Sequence, residues 1–437
     1  MPPILLLLLA AQEVSLPVPH PLFEGDTVHE MRLYFDSPDW YQQLRTNFEG
    51  KTNPDYAEVR FVWGDIEMDR AGVRFKGNSS YRTYPTNKKS FKIKTNEFVK
   101  GRRIQNVDTI HLNNAFKDPS MVREKIYYEI ARAAGLKAPR VSYAALYVND
   151  EYWGLYFVTE DVDGEFLENH IGDGEKGNLY KGDPSGTLQW RGRDAAPYKQ
   201  SFEKENNEAA DDWTDLIALV DVLNNIPPEH LRERIEAVLD VESALTLLAL
   251  DAATVNLDSY IGSGHNYYLY HRKSDDRFAL MPWDPNEAFG VFDMGIPLAD
   301  LPSLPLFFSP RPMLMPGGQP LPPNAQLPRP LAQKLWQVEE YRERYLARIR
   351  DLIEGPASPD ALRERMETLR AMIEPWVEQE RRSMFTVDEF RRALEENIQT
   401  GSAGPPPPGT PPTPRFLIPG LMPFVRARAA NILEQLP

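Results

Sequence analysis

Residues 256–290 read NLDSYIGSGHNYYLYHRKSDDRFALMPWDPNEAFG. Asp258 comes first, Asn266 follows, and Asp284 closes an apolar run, Phe278 to Trp283, with Gly290 behind it. The order acid, amide, second acid is the one phosphoryl transfer needs. One carboxylate orients a hydroxyl nucleophile, while an amide oxygen and another carboxylate hold Mg²⁺ against nucleotide phosphates. Asp258 stands where the helical pattern of Leu245–Val255 ends, and Asp284 where a strand pattern ends. Carboxylates at the ends of buried elements must be paired, hydrogen-bonded or metal-bound. Singly, each reads as a cap or turn residue, and Asp284-Pro285 is a common turn opener. Jointly, with Asn256, Asn266 and Asn286 interleaved, they read as a metal–phosphate site.

Outward from that stretch, the 437 residues suffice for two or three domains or one large two-lobed unit. A net charge of −15 argues against a nucleic-acid partner, which needs a basic surface. The absence of cysteine excludes disulfides, thiolate zinc and cysteine nucleophiles. No Gly-x-Ser-x-Gly elbow or His-x-x-x-His pair is present, so serine-hydrolase and zinc-hydrolase chemistry lack support. Residues 1–11 (MPPILLLLLAA) resemble a short signal-peptide core without Lys or Arg ahead of it, which predicts export. No stretch approaches the ~20 apolar residues of a transmembrane helix.

A Pro-rich leader, 12–25, precedes a β-rich region with one helix, 26–163. Strands are predicted at Met31–Phe35, Glu58–Trp63, Ala71–Lys76 and Lys88–Lys94. A helix is predicted over Pro119–Gly135, N-capped by Asp118. Val141–Val148 and Tyr152–Val158 flank Asn149-Asp150 as a hairpin. Residues 164–437 read as mainly helical, with helices at Gly164–His170, Asp212–Asn224, Val241–Leu257, Leu331–Glu354, Pro359–Phe385, Val387–Gln399 and Pro423–Leu436. Tyr267–Tyr270 and Phe278–Met281 are the exception, two paired strands. Pro-rich loops interrupt this half at 296–330 and 401–419.

Two further groups bear on chemistry. Arg74, Lys76, Lys88, Lys89, Lys92 and Lys94 concentrate positive charge beside Gly77-Asn78-Ser79-Ser80, a turn able to cradle phosphate. Lys92 and Lys94 read equally as a solvated strand face. Lys88 and Lys89 read as that face. Leu155 to Val158, running into Thr159-Glu160-Asp161-Val162-Asp163 and a helix, has the form of a kinase hinge, or of a strand ending in a solvated acidic turn. His265 reads as an incidental turn histidine.

These pieces, in order, resemble the CotH kinase family: Arg74–Ser80, Lys88–Lys94, Ser120–Arg123, Leu146–Tyr156 into Glu160–Asp163, Gly177–Lys181, Asn256–Asp258, His265–Tyr270 and Pro282–Gly290. The resemblance implies an α+β, atypical protein-kinase-like fold with a β-rich N-terminal lobe and a mainly helical C-terminal lobe. It implies a secreted or cell-surface enzyme that uses ATP and Mg²⁺ or Mn²⁺ to phosphorylate serine or threonine on secreted or envelope proteins. Carried over by motif, Asp258 is the catalytic acid, and Asp284, Asn266 and Asn286 are metal ligands. The ATP-binding set is Arg74, Lys76, Asn78, Ser79, Lys92, Lys94, Glu160, Val162 and Lys181, with Glu129 positioning a strand lysine and Arg123 a further candidate. One departure is Asn286, where the family often carries a second Asp. A second is Asn149-Asp150 in place of the commoner Asn-Gly. The lost charge at Asn286 keeps open a catalytically weak adhesion or matrix-binding role on the same fold.

Overall fold

The computed structural model describes residues 19–51, 54–311, 326–400 and 416–437. The expected signal peptide, the first half of the Pro-rich leader, the middle of the 296–330 loop and most of the 401–419 loop lie outside those residues. Helix and strand are mixed, as expected.

Seven strands close into a barrel in the order β1-β2-β3-β4-β5-β7-β6. They are β1 Val28–Tyr34, β2 Ala57–Trp63, β3 Ile66–Lys76, β4 Ser90–Lys94, β5 Thr109–Asn113, β6 Val141–Val148 and β7 Glu151–Glu160. Neighbours are antiparallel except β1 and β6, whose parallel pairing completes the ring. Asn149 and Asp150 both take φ > 0 (48° and 65°), so they make the β6–β7 hairpin turn without a glycine. Side chains alternate in and out along each strand. Met31, Leu33, Phe61, Val73, Phe75, Phe91, Ile93, Ile110, Leu112, Leu146, Tyr156 and Val158 fill the interior. Their sequence neighbours face outward by the same parity.

The outer face of β6 and β7, with Tyr143, Leu155 and Phe157, packs into a second core. That core is shared with α1 (Arg123–Ala133), α2 (Thr214–Asn225), α3 (Val241–Thr254), α4 (Glu339–Glu354), α5 (Pro359–Gln379) and α6 (Leu421–Gln435). Beside it lies a four-stranded sheet formed by β8 (Leu179–Lys181), β9 (Glu203–Lys204), β10 (Tyr267–Arg272) and β11 (Arg277–Pro282), in the order β11-β10-β8-β9. No helix among the described residues is long and apolar enough to cross a membrane.

Several boundaries differ from the sequence reading. The 119–135 helix starts only at Arg123. Ala115, Lys117 and Met121 take φ > 0 before it, and Asp118 binds the Arg123 backbone and guanidinium (2.9 and 2.8 Å) instead of capping the first turn. Leu331–Glu354 breaks at Trp336–Val338, and Pro359–Phe385 stops at Gln379. Val387–Gln399 stops at Arg392, and Ile398–Gln399 pairs with Leu417–Ile418 as a short ribbon. Lys88 and Lys89 are buried, not solvated. Lys89 donates to the Tyr81 and Tyr84 carbonyls. Lys88 meets Glu380 at 2.5 Å, both side chains being 1% exposed.

That ion pair joins the end of α5 to the barrel, and Glu380 also accepts from Leu155 N–H at 3.1 Å. Removing one member of a buried pair strands the other charge. Lys88→Met is therefore expected to lower stability by about 3–5 kcal/mol in urea unfolding. Lys88→Met/Glu380→Leu should recover much of that loss, and an unchanged midpoint in the single variant would contradict the assignment.

Candidate active site

Strand parity builds one wall of a cleft of about 1760 Å³. With Val73, Phe75, Phe91, Ile93, Ile110 and Leu112 inside the barrel, Arg74, Lys76, Lys92, His111 and Asn113 must face out. Register sets Arg74 beside Lys92, Lys92 beside His111, and His111 beside Thr159. The opposite wall carries Lys181, Asp258, His265, Asn266, Asp284, Asn286 and Glu287.

Asp258 is held at both carboxylate oxygens. His265 Nε2 lies 3.0 Å from Oδ1, and Asn266 Nδ2 donates to Oδ2 at 3.1 Å and to the Asp258 carbonyl at 3.0 Å. Gly264 (φ 85°) and Asn266 (φ 57°) form the turn that lets consecutive residues reach back to one acid. His265 is therefore not incidental. Burial lowers its basicity, but the Asp258 carboxylate outweighs that and raises its pKa to about 9.

Asp284 adopts φ 47°, and its N–H donates to Tyr128 Oη of α1 at 3.0 Å. Its carboxylate opens on the cleft and accepts no hydrogen bond from the described residues. Protein atoms crowd it nonetheless. That crowding raises its pKa above the ordinary aspartate value, with Lys76 opposing and Asp258 adding to the rise. Asn286 uses its amide nitrogen on the Phe116 carbonyl (3.2 Å). Glu287, unremarked in the sequence, meets Lys117 at 2.6 Å, and burial pushes it up to about 7.

Lys76 Nζ donates to Asn113 Oδ1 at 2.9 Å and lies 5.8 Å from the centre of the Trp283 ring. Burial lowers its pKa, while the carboxylates of Asp284 and Glu124 work against the fall. Glu124 on α1 accepts from Asn113 (2.7 Å) and Thr159 (2.5 Å). The helix glutamate facing the cleft is thus Glu124. Glu129, the residue expected there, is five positions on and pairs with Arg365 (2.7 Å) and Lys125 (3.1 Å).

Lys92 is ion-paired with Asp161 at 3.2 Å, and His111 Nε2 lies 2.9 Å from the same carboxylate. Arg74 lines the cleft with its guanidinium 5.2 Å from the Tyr56 ring, and Asn78 and Ser79 line it beyond Gly77. Lys181 is bound to Asp183 (2.8 Å) and Glu203 (3.1 Å). Lys94 does not line this cleft. It meets Glu97 at 3.7 Å and borders a smaller adjoining one, which Val162 also lines. Glu160 points away from the cleft into Arg140 (2.6 Å) and His170 (3.1 Å), which hold it down to about 2 despite burial. Its neighbours Thr159 and Asp161 have the opposite parity. Arg123 is fully buried against Asp118.

Asp284, the Asn266 oxygen and Asp258 offer hard oxygen donors suited to Mg²⁺ or Mn²⁺. The three acids that already lie close together, Asp108, Asp163 and Glu165, sit outside this cleft. Glu165 is already paired with Arg103 and Asp163 caps a helix.

A family model described as CotH kinase protein matches residues 73–399. The inner spore coat protein H of Bacillus subtilis (strain 168) is 26% identical over 206 residues, 46% of this chain and 55% of that protein. The match thus spans about half the length of that relative. The crystal structure of a Helicobacter pylori proinflammatory kinase, CtkA, aligns over 80% of this chain and 94% of that one, at 10% identity and a TM-score of 0.22.

The His265–Asp258 contact has a direct readout. In metal-free protein, NMR titration should place the His265 transition near pH 9, and Asp258→Asn should return it toward 6.5. The stability this pair adds is full below 6.5 and fades as pH rises through about 9. An unshifted imidazole would refute the contact.

Proposed function

The chain belongs to the CotH kinase protein family, and from that membership and the cleft we infer an exported, ATP- and Mg²⁺-dependent protein kinase. Its acceptors are serine or threonine hydroxyls on secreted or envelope proteins. In this reading the barrel half, 26–163, and the rest, 164–437, work as the two lobes of a kinase-like fold. One observation carries the reading. Asp258, pinned at both oxygens, shares a cleft with an Asp284 carboxylate that has no partner among the described residues and a half-buried Lys76.

Asp258 orients the acceptor hydroxyl and takes its proton. His265 and Asn266 keep that carboxylate from rotating, so reach and direction are preset. Asp284 and Asn266 Oδ1 would hold the divalent cation. When bound, the cation neutralises charge on the nucleotide phosphates. Lys76, steadied by Asn113 and Glu124, faces the phosphates from the barrel wall, and Arg74 extends the positive charge outward. Lys92 and Lys181 have carboxylate partners already and so contribute less net charge. Export draws support from the apolar leader and from a relative that is a spore coat protein.

Asn286 favours a second reading, a weakly catalytic surface-binding protein, because its amide brings no charge and is tied to Phe116. A thermal-shift titration separates the two. The kinase reading expects stabilisation by millimolar Mg-ATP, and the scaffold reading expects none.

Phosphate transfer to protein, followed by mass spectrometry, should fall about 10²–10⁴-fold in Asp258→Ala and Asp284→Ala variants that stay folded. Full transfer in both would end the kinase assignment. Glu124→Gln should lower transfer more than Glu129→Gln, and the reverse order would restore the original helix assignment.

A further inference from the structure

Behind the cleft, α3 ends on a buried acid that takes no part in lining it. Asp251 is 1% exposed and Asn256 2%. Tyr127 of α1 donates its hydroxyl to Asp251 Oδ1 at 2.7 Å, and Asn256 Nδ2 donates to the same oxygen at 3.1 Å. Two acceptors are left over. Asp251 Oδ2 and Asn256 Oδ1 are both buried, and neither has a hydrogen-bond partner among the described residues. They belong to the two side chains that the Nδ2–Oδ1 bond already joins. When that bond lies in the common plane of a carboxyl and a carboxamide, the two remaining oxygens stand side by side. Without a donor between them, both pay the desolvation penalty of an unsatisfied polar atom. A single proton removes both penalties.

We propose that Asp251 is a neutral carboxylic acid in the folded protein, its Oδ2–H donating to Asn256 Oδ1 to close an acid–amide ring that fixes the turn leading to Asp258. Asp251 is then a positioning residue, acting on Asp258 through Asn256. The backbone around the ring agrees. Asn256 N–H donates to the Asp251 carbonyl at 2.9 Å, Val255 turns the chain at φ 47°, and Ser259 Oγ donates to the Asn256 carbonyl at 2.7 Å.

The groups around Asp251 leave it without a counter-charge. Tyr127 is a neutral donor. Tyr345 of α4 and Arg428 of α6 border the small cavity next to it. The Arg428 guanidinium is committed to the carbonyls of Ala252, Pro302 and Leu304. No cation lies within ion-pair distance of Asp251 among the described residues. Burial accordingly pushes its carboxyl up to about 7, against the hydrogen bonds from Tyr127 and Asn256.

Infrared difference spectroscopy of the full chain, wild type against Asp251→Asn, reads the proton. At about pH 6, where ordinary carboxylates are ionised, the wild type should show a protonated-carboxyl C=O stretch that the variant lacks. Asparagine keeps a neutral donor on the same arm, so Asp251→Asn should melt close to wild type and Asp251→Ala clearly lower. The pH dependence has a definite sign. The folded protein holds a proton that the unfolded chain has released, so wild type loses stability relative to Asp251→Asn as pH rises from 3.8 to about 7, then levels off. No acid band, or a wild-type advantage that grows with pH, overturns the proposal. The effect on turnover rests on the kinase reading. Asp251→Ala should lower kcat about 10–100-fold with KM for ATP unchanged, and Asp251→Asn should restore it. Equal kcat in Asp251→Ala and wild type overturns the positioning role. A wild type without transfer activity overturns the kinase reading, and the infrared band still decides the proton.

Discussion

Strand parity in the closed barrel is the constraint on which the site depends. A ring of seven strands has no free edge, and its narrow interior must be filled by every second side chain. Once Val73, Phe75, Phe91, Ile93, Ile110 and Leu112 point in, the polar set at 74, 76, 92, 111 and 113 points out together. Thr159 and Asp161 extend that set beyond β5, while Glu160 is turned away into Arg140 and His170. Apolar packing inside the barrel thus aligns charges outside it. A one-residue slip of β4 would bury Lys92 and expose Phe91.

The cleft is electrostatically costly in a way that fits a functional site. Burial raises the pKa of both Asp284 and Glu287, the nearby Asp258 carboxylate adds to each rise, and Glu124 is buried nearby. Partial compensation comes from Lys76, His265 and Lys117, each drawn from a different segment. Asp284 has no hydrogen-bond or ion-pair partner for its carboxylate among the described residues. Structural acids elsewhere in the chain, such as Glu160 and Asp118, are fully tied by arginine. The contrast separates acids that hold the fold from acids available for chemistry.

Much of this was legible in the sequence where the signals were local. Alternation found most of the strands but missed β5, β8 and β9, the Asn149-Asp150 turn found the hairpin, and the order Asp258, Asn266, Asp284 found three residues that one cleft brings together. What failed was mostly non-local. Glu129 and Glu124 differ by a rotation of α1 that only its packing on the barrel decides, and positive-φ residues without glycine moved the start of that helix. Lys88 looked solvated because its partner, Glu380, lies far downstream. Two misses had usable signals. Parity along Tyr156–Asp161 distinguishes Glu160 from Asp161, and Gly264 marks the turn that brings His265 back to Asp258.

In the proposed kinase, the nucleotide's metal would sit between the barrel's outer row and the 258–290 segment. Anomalous scattering from crystals grown with Mn²⁺ and a non-hydrolysable ATP analogue tests it most directly. The account predicts a manganese peak beside Asp284 and Asn266, with phosphates toward Lys76. A peak at Asp108, Asp163 and Glu165, or an analogue bound away from Asp284, would contradict it.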